Sequence, residues 1–330
     1  RGSLEAASMG VDIEPAEMAM RCNLISIDEQ GRIKNHSAGH ISTPEAAELI
    51  EYLQQELGGD GVNFFAGVSY RHLVKVDGGN KHLECTPPHN AVGVSFADVM
   101  IKPLSAEAEA TATLLNELTL CSQELLAKHP VNLKRVAEGK DPANSISMWS
   151  PGYKPSMPTF RQKYGIESGS VISAVDLIKG IGVYAGLKVI EVEGATGLFD
   201  TNYKGKTQAA IDALKGGDDF VFLHVEASDE AGHEGDEQLK IRTIENLSEL
   251  VVAPIMEAAA QIEGGVTIAL LPDHPTPCVT KTHSREAVPF VIYSPEVQGD
   301  SVELYDEVSA VDGFYGQIVG PEFMNVLLNK

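Results

Sequence analysis

Apolar residues recur along this chain in two periods, and the switch between them marks its elements. MRCNLISID (residues 20–28), VNFFAGVS (62–69) and HLVKV (72–76) are short apolar or alternating runs, the pattern of strands. Between the first two, Ala46, Leu49, Ile50, Leu53 and Leu57 recur at helical spacing. Thr43 reads as the N-cap of that helix with Pro44 at N1, and Gly58-Gly59 stops it. A second amphipathic helix is predicted over 106–128. From there to 170 the chain is rich in Pro, Gly and Ser (DPANSISMWSPGYKPSMPTF). It reads either as a connector between domains, with Trp149 and Tyr153 lining a cleft, or as a packed, ordered loop.

Beyond residue 170 helix and strand alternate. A helix is predicted over 170–185, a strand at KVIEVE, a helix over 206–215 and a strand at FVFLHVE. A long helix over 236–262, bent at Pro254, precedes strands VTIALL and VPFVIYS. The pattern implies the α/β class: a mostly parallel sheet with helices on both faces. In such sheets ligands bind at the carboxyl ends of the strands.

Asp229 and His233, in Asp-x-x-x-His, follow FVFLHVE, and the pair Asp273-His274 follows VTIALL. His283 precedes the next strand. Carboxylate and neutral imidazole suit a borderline divalent metal. One Asp-x-x-x-His alone is more often a solvated helix face, but five such groups at one sheet edge exceed the needs of a single structural site. They point to a two-metal centre of the kind that clamps phosphoryl groups. Glu234 and Asp236 read as helix-start charges.

Composition then narrows the substrate question. The net charge of −22 argues against a nucleic-acid partner. It also means that an anionic substrate needs a local island of positive charge. Arg21 and Arg71, each beside a strand-like run, are candidates to grip such an anion, against the plain alternative of surface salt bridges. His36 and His40, in the polar loop HSAGH, either face a cleft or serve a local turn. Lys206 either contacts a phosphate or is an ordinary helix-start lysine. The segment around it lacks the Gly-Lys-Ser/Thr core of a phosphate loop. Cys22, Cys85, Cys121 and Cys278 have no CxxC spacing and read as free thiols of a reducing compartment, implying a cytoplasmic protein. No apolar run approaches the roughly 20 residues that span a bilayer, so no membrane partner is expected.

SDEAGHEGD, LLPDHPTP and THSREAVPF resemble the metal motifs of the alkaline phosphatase superfamily. More closely, RGSLEAASMG, MRCNL, HSAGHIST and GATGLFDTNYKGK resemble cofactor-independent phosphoglycerate mutases of the archaeal type, nearly end to end. The resemblance implies an alkaline-phosphatase-like metal domain (1–11 and 151–330) interrupted by a smaller α/β substrate-binding domain (12–150). It implies interconversion of 3- and 2-phosphoglycerate through a phosphoserine, without 2,3-bisphosphoglycerate. Asp229, His233 and His283 would bind one metal, Asp273 and His274 the other. Manganese is the first expectation, with zinc, cobalt or magnesium as alternatives. Arg21 and Arg71 would hold the small phosphorylated carboxylate.

The family's nucleophilic Ser and a further metal-binding Asp precede the segment matching RGSLEAASMG, and Ser3 and Ser8 do not match the nucleophile motif. The expectation is therefore that this chain by itself is inactive. Asn90 stands after Pro-Pro-His89 where an acidic residue is expected. A phosphatase, phosphopentomutase or phosphonate hydrolase with the same metal core is the alternative enzyme, and a non-catalytic binding module the alternative outside enzymes. Oligomeric state is not legible in the sequence.

Overall fold

Strand β1 (Glu17–Ile27) organises the first of two compact units, Arg1–Tyr164 with Asp176–Gly186. Side chains alternate across a strand, so one face of β1 carries Met18, Met20, Cys22 and Leu24 and the other carries Ala19, Arg21, Asn23 and Ile25. Both faces are covered. The first packs on the apolar stripe of helix α2 (Thr43–Leu57), where Ala46, Leu49, Ile50 and Leu53 are buried. Each large side chain so buried contributes about 1.5–3 kcal/mol. The second meets helix α1 (Gly2–Ser8) through Ala6 and Ala19.

Strands β2 (Ile33–Asn35), β3 (Val62–Phe65) and β4 (Arg71–Asp77) continue the sheet in the order β2-β1-β4-β3, all antiparallel. A two-stranded ladder of β5 (Leu83–Glu84) and β6 (Lys102–Pro103) precedes the long helix α3 (Glu109–Leu126). Helix α4 (Pro130–Ala137) and strand β7 (Ser145–Gly152) follow, and β7 pairs antiparallel with β1. Helix α5 (Phe160–Tyr164) and helix α6 (Asp176–Tyr184) complete this unit. Gly180 of α6 sits against α1 so closely that a Cβ there would lie 1.8 Å from the Leu4 carbonyl oxygen.

Three expectations change here. The segment read as a connector or loop contains α4 and the buried strand β7. Its small polar residues misled, because tertiary partners satisfy them: Asn144 exchanges both its amide groups with the Ile27 backbone, and the Ser145 hydroxyl accepts from Gln123 of α3. The N-cap of α2 is Ser42, not Thr43. The Thr43 hydroxyl instead accepts from the Ser69 amide at 3.1 Å. Residues 170–172, expected as helix, lie in a strand, and helix α6 begins only at Asp176.

That strand, β8 (Gly169–Ile172), belongs to the second unit, Gly165–Val175 with Leu187–Lys330, of which residues up to 328 are described. It lies between β9 (Lys188–Val189) and β10 (Phe220–Leu223) in a parallel three-stranded sheet. Helix α7 (Tyr203–Lys215) connects β9 to β10. Helices α8 (Ala227–Glu234), α9 (Glu237–Leu247) and α10 (Ala253–Ala259) follow. The long helix expected over 236–262 breaks into α9 and α10 around a π-helical turn at Ser248–Val252. Pro254 lacks an N–H and crowds the carbonyl four residues back, which accounts for the widened turn. Strands β11 (Ile268–Leu270) and β12 (Val291–Tyr293) form a separate antiparallel pair, and α11 (Phe323–Leu327) closes the described chain. The α/β class holds, with parallel pairing confined to β10-β8-β9.

Candidate metal centre and anion cluster

Asp229 and His233 stand one turn apart on α8, hence on one face. Gly235 ends that helix in the left-handed conformation (φ 74°), and Asp236 caps α9 by accepting from the Leu239 amide at 2.9 Å. The remaining expected ligands come from the loop between β11 and β12. Lys281 Nζ donates to the Glu234 carbonyl (2.9 Å) and Lys240 Nζ to that of Thr276 (2.6 Å), tying the loop to α8 and α9. Close approach is possible because residue 232 is glycine; a Cβ there would lie 2.3 Å from the Thr276 carbonyl oxygen.

All five expected ligand residues gather at this junction. His233 Nε2 lies 3.1 Å from His283 Nε2 and 3.3 Å from Asp229 Oδ2. His283 Nε2 lies 3.4 Å from Asp229 Oδ1. His274 stacks on the His283 ring with centroids 3.6 Å apart, and its Nε2 is 3.3 Å from Asp273 Oδ2. His233 Nδ1 is 3.0 Å from the Lys281 carbonyl, which can only accept. Nδ1 therefore carries the proton and Nε2 turns its lone pair toward Asp229 and His283. The Thr276 hydroxyl donates to Asp229 and lies 3.3 Å from His274 Nδ1.

A divalent cation suits this donor set. One donor atom each from Asp229, His274 and His283 lies within 4.8 Å of the others, a spacing a single cation can bridge, and His233 Nε2 stands 3.3 Å from the other Asp229 oxygen. Lone pairs of two imidazoles and a carboxylate converging at that spacing repel one another unless a proton or a cation lies between them.

In the first unit the strand register assembles a second cluster. Arg21 faces Trp149 of β7, while Asn23, two residues along, faces Arg71 of β4. The Arg21 guanidinium carbon lies 4.8 Å from the Trp149 ring centroid, and its Nε is 3.1 Å from a Glu5 oxygen. Rings continue edge to face from Trp149 to His89 (5.5 Å), His36 (6.3 Å) and Tyr70 (6.0 Å). Arg71 lies over Tyr70 at 5.6 Å. Burial lowers the His36 pKa, and His40 beside it adds to the effect. Burial, then His36, Arg21 and Arg1, hold that of His89 down. Arg21, Arg71, His36 and His40 thus fall in one region. Lys206, in the second unit, is only 1% exposed, with its ammonium near the carbonyls of Thr196 (3.4 Å) and His224 (3.3 Å).

Residues 1–132 match the family described as 2,3-bisphosphoglycerate-independent phosphoglycerate mutase. A relative of that name from Methanosarcina mazei is 49% identical over 333 residues, covering 100% of this chain and 81% of the relative. The chain belongs to this mutase family. A probable member from Geobacter sulfurreducens is 47% identical over 314 residues, covering 94% of this chain and 76% of its own. A solved cofactor-independent phosphoglycerate mutase from Thermoplasma acidophilum superposes with TM-score 0.66 at 26% identity, covering 100% of this chain and 80% of that one. A solved Pyrococcus horikoshii protein gives TM-score 0.79 at 27% identity, covering 100% and 78%.

In this mutase chain several groups beside the expected ligands escaped sequence reasoning. His224, just past β10, has Nδ1 3.0 Å from Ser173 Oγ. Burial lowers its pKa, opposed by Asp273 and Asp229. Glu226 is pushed up by burial, then by Glu230 and Asp229. Thr276 completes the set. His224 and Glu226 lie inside the FVFLHVE run, where an apolar pattern hides single polar residues. Nothing in one sequence brings Thr276 to Asp229, since the contact is tertiary.

Proposed function

We propose that this chain carries the metal centre and anion-binding residues of a phosphoglycerate mutase interconverting 3- and 2-phosphoglycerate through a phosphoserine. The observation that carries the metal reading is the convergence of Asp229, His274 and His283, one donor atom of each within 4.8 Å of the others, with His233 Nε2 3.3 Å from the second Asp229 oxygen. Asp229, His233 and His283 would hold one divalent ion and Asp273 with His274 the other, manganese first, with zinc, cobalt or magnesium as alternatives. Bound there, the ions would neutralise phosphate oxygens and favour an alkoxide nucleophile. The chain's own groups do the rest. The Thr276 hydroxyl fixes the Asp229 carboxylate, and the Lys281 carbonyl fixes the His233 tautomer.

Arg21, Arg71, His36 and His40 would grip the substrate's carboxylate or phosphate, the two arginines giving the local positive charge that a chain of net charge −22 needs. We assign Lys206 to the support of the 194–202 turn, since its ammonium faces carbonyls. Ser3 and Ser8 lie on α1, where the Ser8 hydroxyl donates to the Glu5 carbonyl, and neither receives the phosphoryl role. Residues 12–150 are taken as the inserted substrate-binding domain, and 1–11 with 151–330 as the metal domain. Four free cysteines support a cytoplasmic setting. Among the described residues no helix is long and apolar enough to cross a membrane.

The test is phosphorus NMR of 3-phosphoglycerate incubated with the protein, manganese and no bisphosphoglycerate. Formation of the 2-isomer supports the reading; free phosphate without it would point to the hydrolytic relatives instead.

A further inference from the structure

Arg21 is a buried cation whose polar partners leave part of it unused. It is 6% exposed, and its buried Nε, although 3.1 Å from Glu5 Oε2, has no hydrogen-bonded partner. Among the described residues its two terminal nitrogens donate no hydrogen bond. Burial lowers its pKa, with Arg1 and Arg71 adding to that and Glu5 opposing. The guanidinium is held between the buried Glu5 carboxylate on its Nε side and the flat face of Trp149, directly across the β1–β7 ladder.

Trp149 is itself held from three sides. Its indole N–H donates to Asn23 Oδ1 at 3.3 Å, and the His89 ring meets it edge-on. The third device is in the backbone. Ala19 pairs with Gly152 but Arg21 with Trp149, so three residue steps on β7 oppose two on β1. The extra residue is accommodated where Ser150 takes φ 57°, a left-handed conformation uncommon for serine. A bulge of this kind re-aims the neighbouring side chain, and its strain persists only where the surroundings enforce it.

We propose that Trp149 is a positioning residue for the substrate anion: stacked on Arg21, it presents the two terminal nitrogens as an open planar fork. A flat guanidinium matches a carboxylate through two parallel N–H···O bonds, and stacking restricts its rotation before the ligand arrives. The proposal rests on the assignment of Arg21 to anion binding given above. His89 and Asn23 act one step further out, by fixing the indole.

Trp149 is the chain's sole tryptophan, so its emission reports this contact directly. The full chain would be titrated with 3-phosphoglycerate, by fluorescence and calorimetry, and compared with glycerol 3-phosphate, which lacks the carboxylate. A saturable emission change is expected with 3-phosphoglycerate and a weaker one with glycerol 3-phosphate. By calorimetry, Trp149→Leu should weaken 3-phosphoglycerate binding about tenfold, the scale of a desolvated cation–π contact. Trp149→Phe should restore most of it, because any aromatic face serves, whereas a purely space-filling role would treat Leu and Phe alike. Unchanged affinity in Trp149→Leu, with Arg21→Ala impaired, overturns the positioning role and leaves Arg21 in place. Unchanged affinity in Arg21→Ala, or no binding of 3-phosphoglycerate to the wild-type chain, overturns the role together with the substrate reading beneath it.

Discussion

The two clusters use opposite kinds of scaffold. In the first unit Arg21, Asn23, Arg71 and Trp149 are fixed by register in a sheet where β1 is paired on both sides and buried along nine successive residues. Moving any of them means breaking ladder hydrogen bonds. In the second unit the expected ligands come from one short helix and one loop, held by two lysine–carbonyl contacts and the absence of a Cβ at Gly232. The strands β11 and β12 that flank this loop are short and only half buried, and apolar side chains beyond β12, such as Val308 (83% exposed) and Phe314 (81%), meet little of the unit. A sheet fixes direction through many shared bonds, whereas a loop fixes it through a few replaceable ones. Damage should therefore cost stability in the first unit and ligand geometry in the second.

The largest expected effect falls on the first scaffold. His72 of β4 is buried, and its Nδ1 accepts from the Gly67 amide at 3.0 Å, which requires the neutral ring. Burial lowers its pKa from 6.5 to about 3. The folded-state value lies below the unfolded one, so the neutral ring supports the fold fully above pH 6.5. Stability should fall by about 1.4 kcal/mol per pH unit as pH drops below that, about 4–5 kcal/mol in all by pH 3. Urea unfolding between pH 7 and 4 reads the slope, and His72→Asn should flatten it. An equal slope in the variant would place the acid sensitivity elsewhere.

Next comes His283→Ala in the second unit. Removing one donor of the proposed site should weaken manganese binding at that position about a hundredfold, about 2.7 kcal/mol, while the thermal midpoint without metal stays near wild type. Elemental analysis after dialysis, set beside a melting curve, separates the two. Gly232→Ala should cost about 1–3 kcal/mol, because the added Cβ meets a backbone carbonyl rather than a side chain that can swing away. If the loop is the weaker scaffold, this variant loses metal affinity before it loses its melting transition. The reverse order would show that the loop, too, is set by the fold.

Legibility in the sequence followed the same division. The apolar periods of β1, α2, β4 and α7 are local properties, and the choice of Asp229, His233, Asp273, His274 and His283 as expected ligands rests on their chemistry and spacing, with their gathering at one junction seen only in the fold. Strand β7 was hidden because Ser, Pro and Gly usually mark turns, and only the covering of both its faces turns them into interior residues. Strand β8 was hidden because four apolar-compatible residues satisfy either period, and burial on both sides decided for strand. The antiparallel pairing of β11 with β12 is invisible to alternation counting, which senses elements but not their direction. The Arg21–Trp149 stack required a register across more than a hundred residues of chain.

The smallest effect lies at the start of α2, where the two kinds of scaffold meet in miniature. The Glu45 carboxylate accepts from the Ser42 hydroxyl (2.6 Å) and more weakly from the Ser42 amide (3.3 Å), and it pairs with Arg135 at 3.0 Å. The Ser42 hydroxyl, with Arg135 nearby, holds the Glu45 pKa below its usual 4.5. A depressed carboxylate stabilises above its unfolded pKa and ceases to as pH falls through the folded one, so this contribution fades only below pH 4.5, well under the range where His72 acts. Ser42→Ala should cost about 1 kcal/mol at neutral pH. Because the lost hydroxyl raises the Glu45 pKa toward its ordinary value, the deficit should shrink as both forms protonate. Unfolding free energies of the two proteins at pH 7 and pH 3.5 decide the point: a gap of the same size at both would mean that Ser42 acts through the backbone alone and not through the carboxylate.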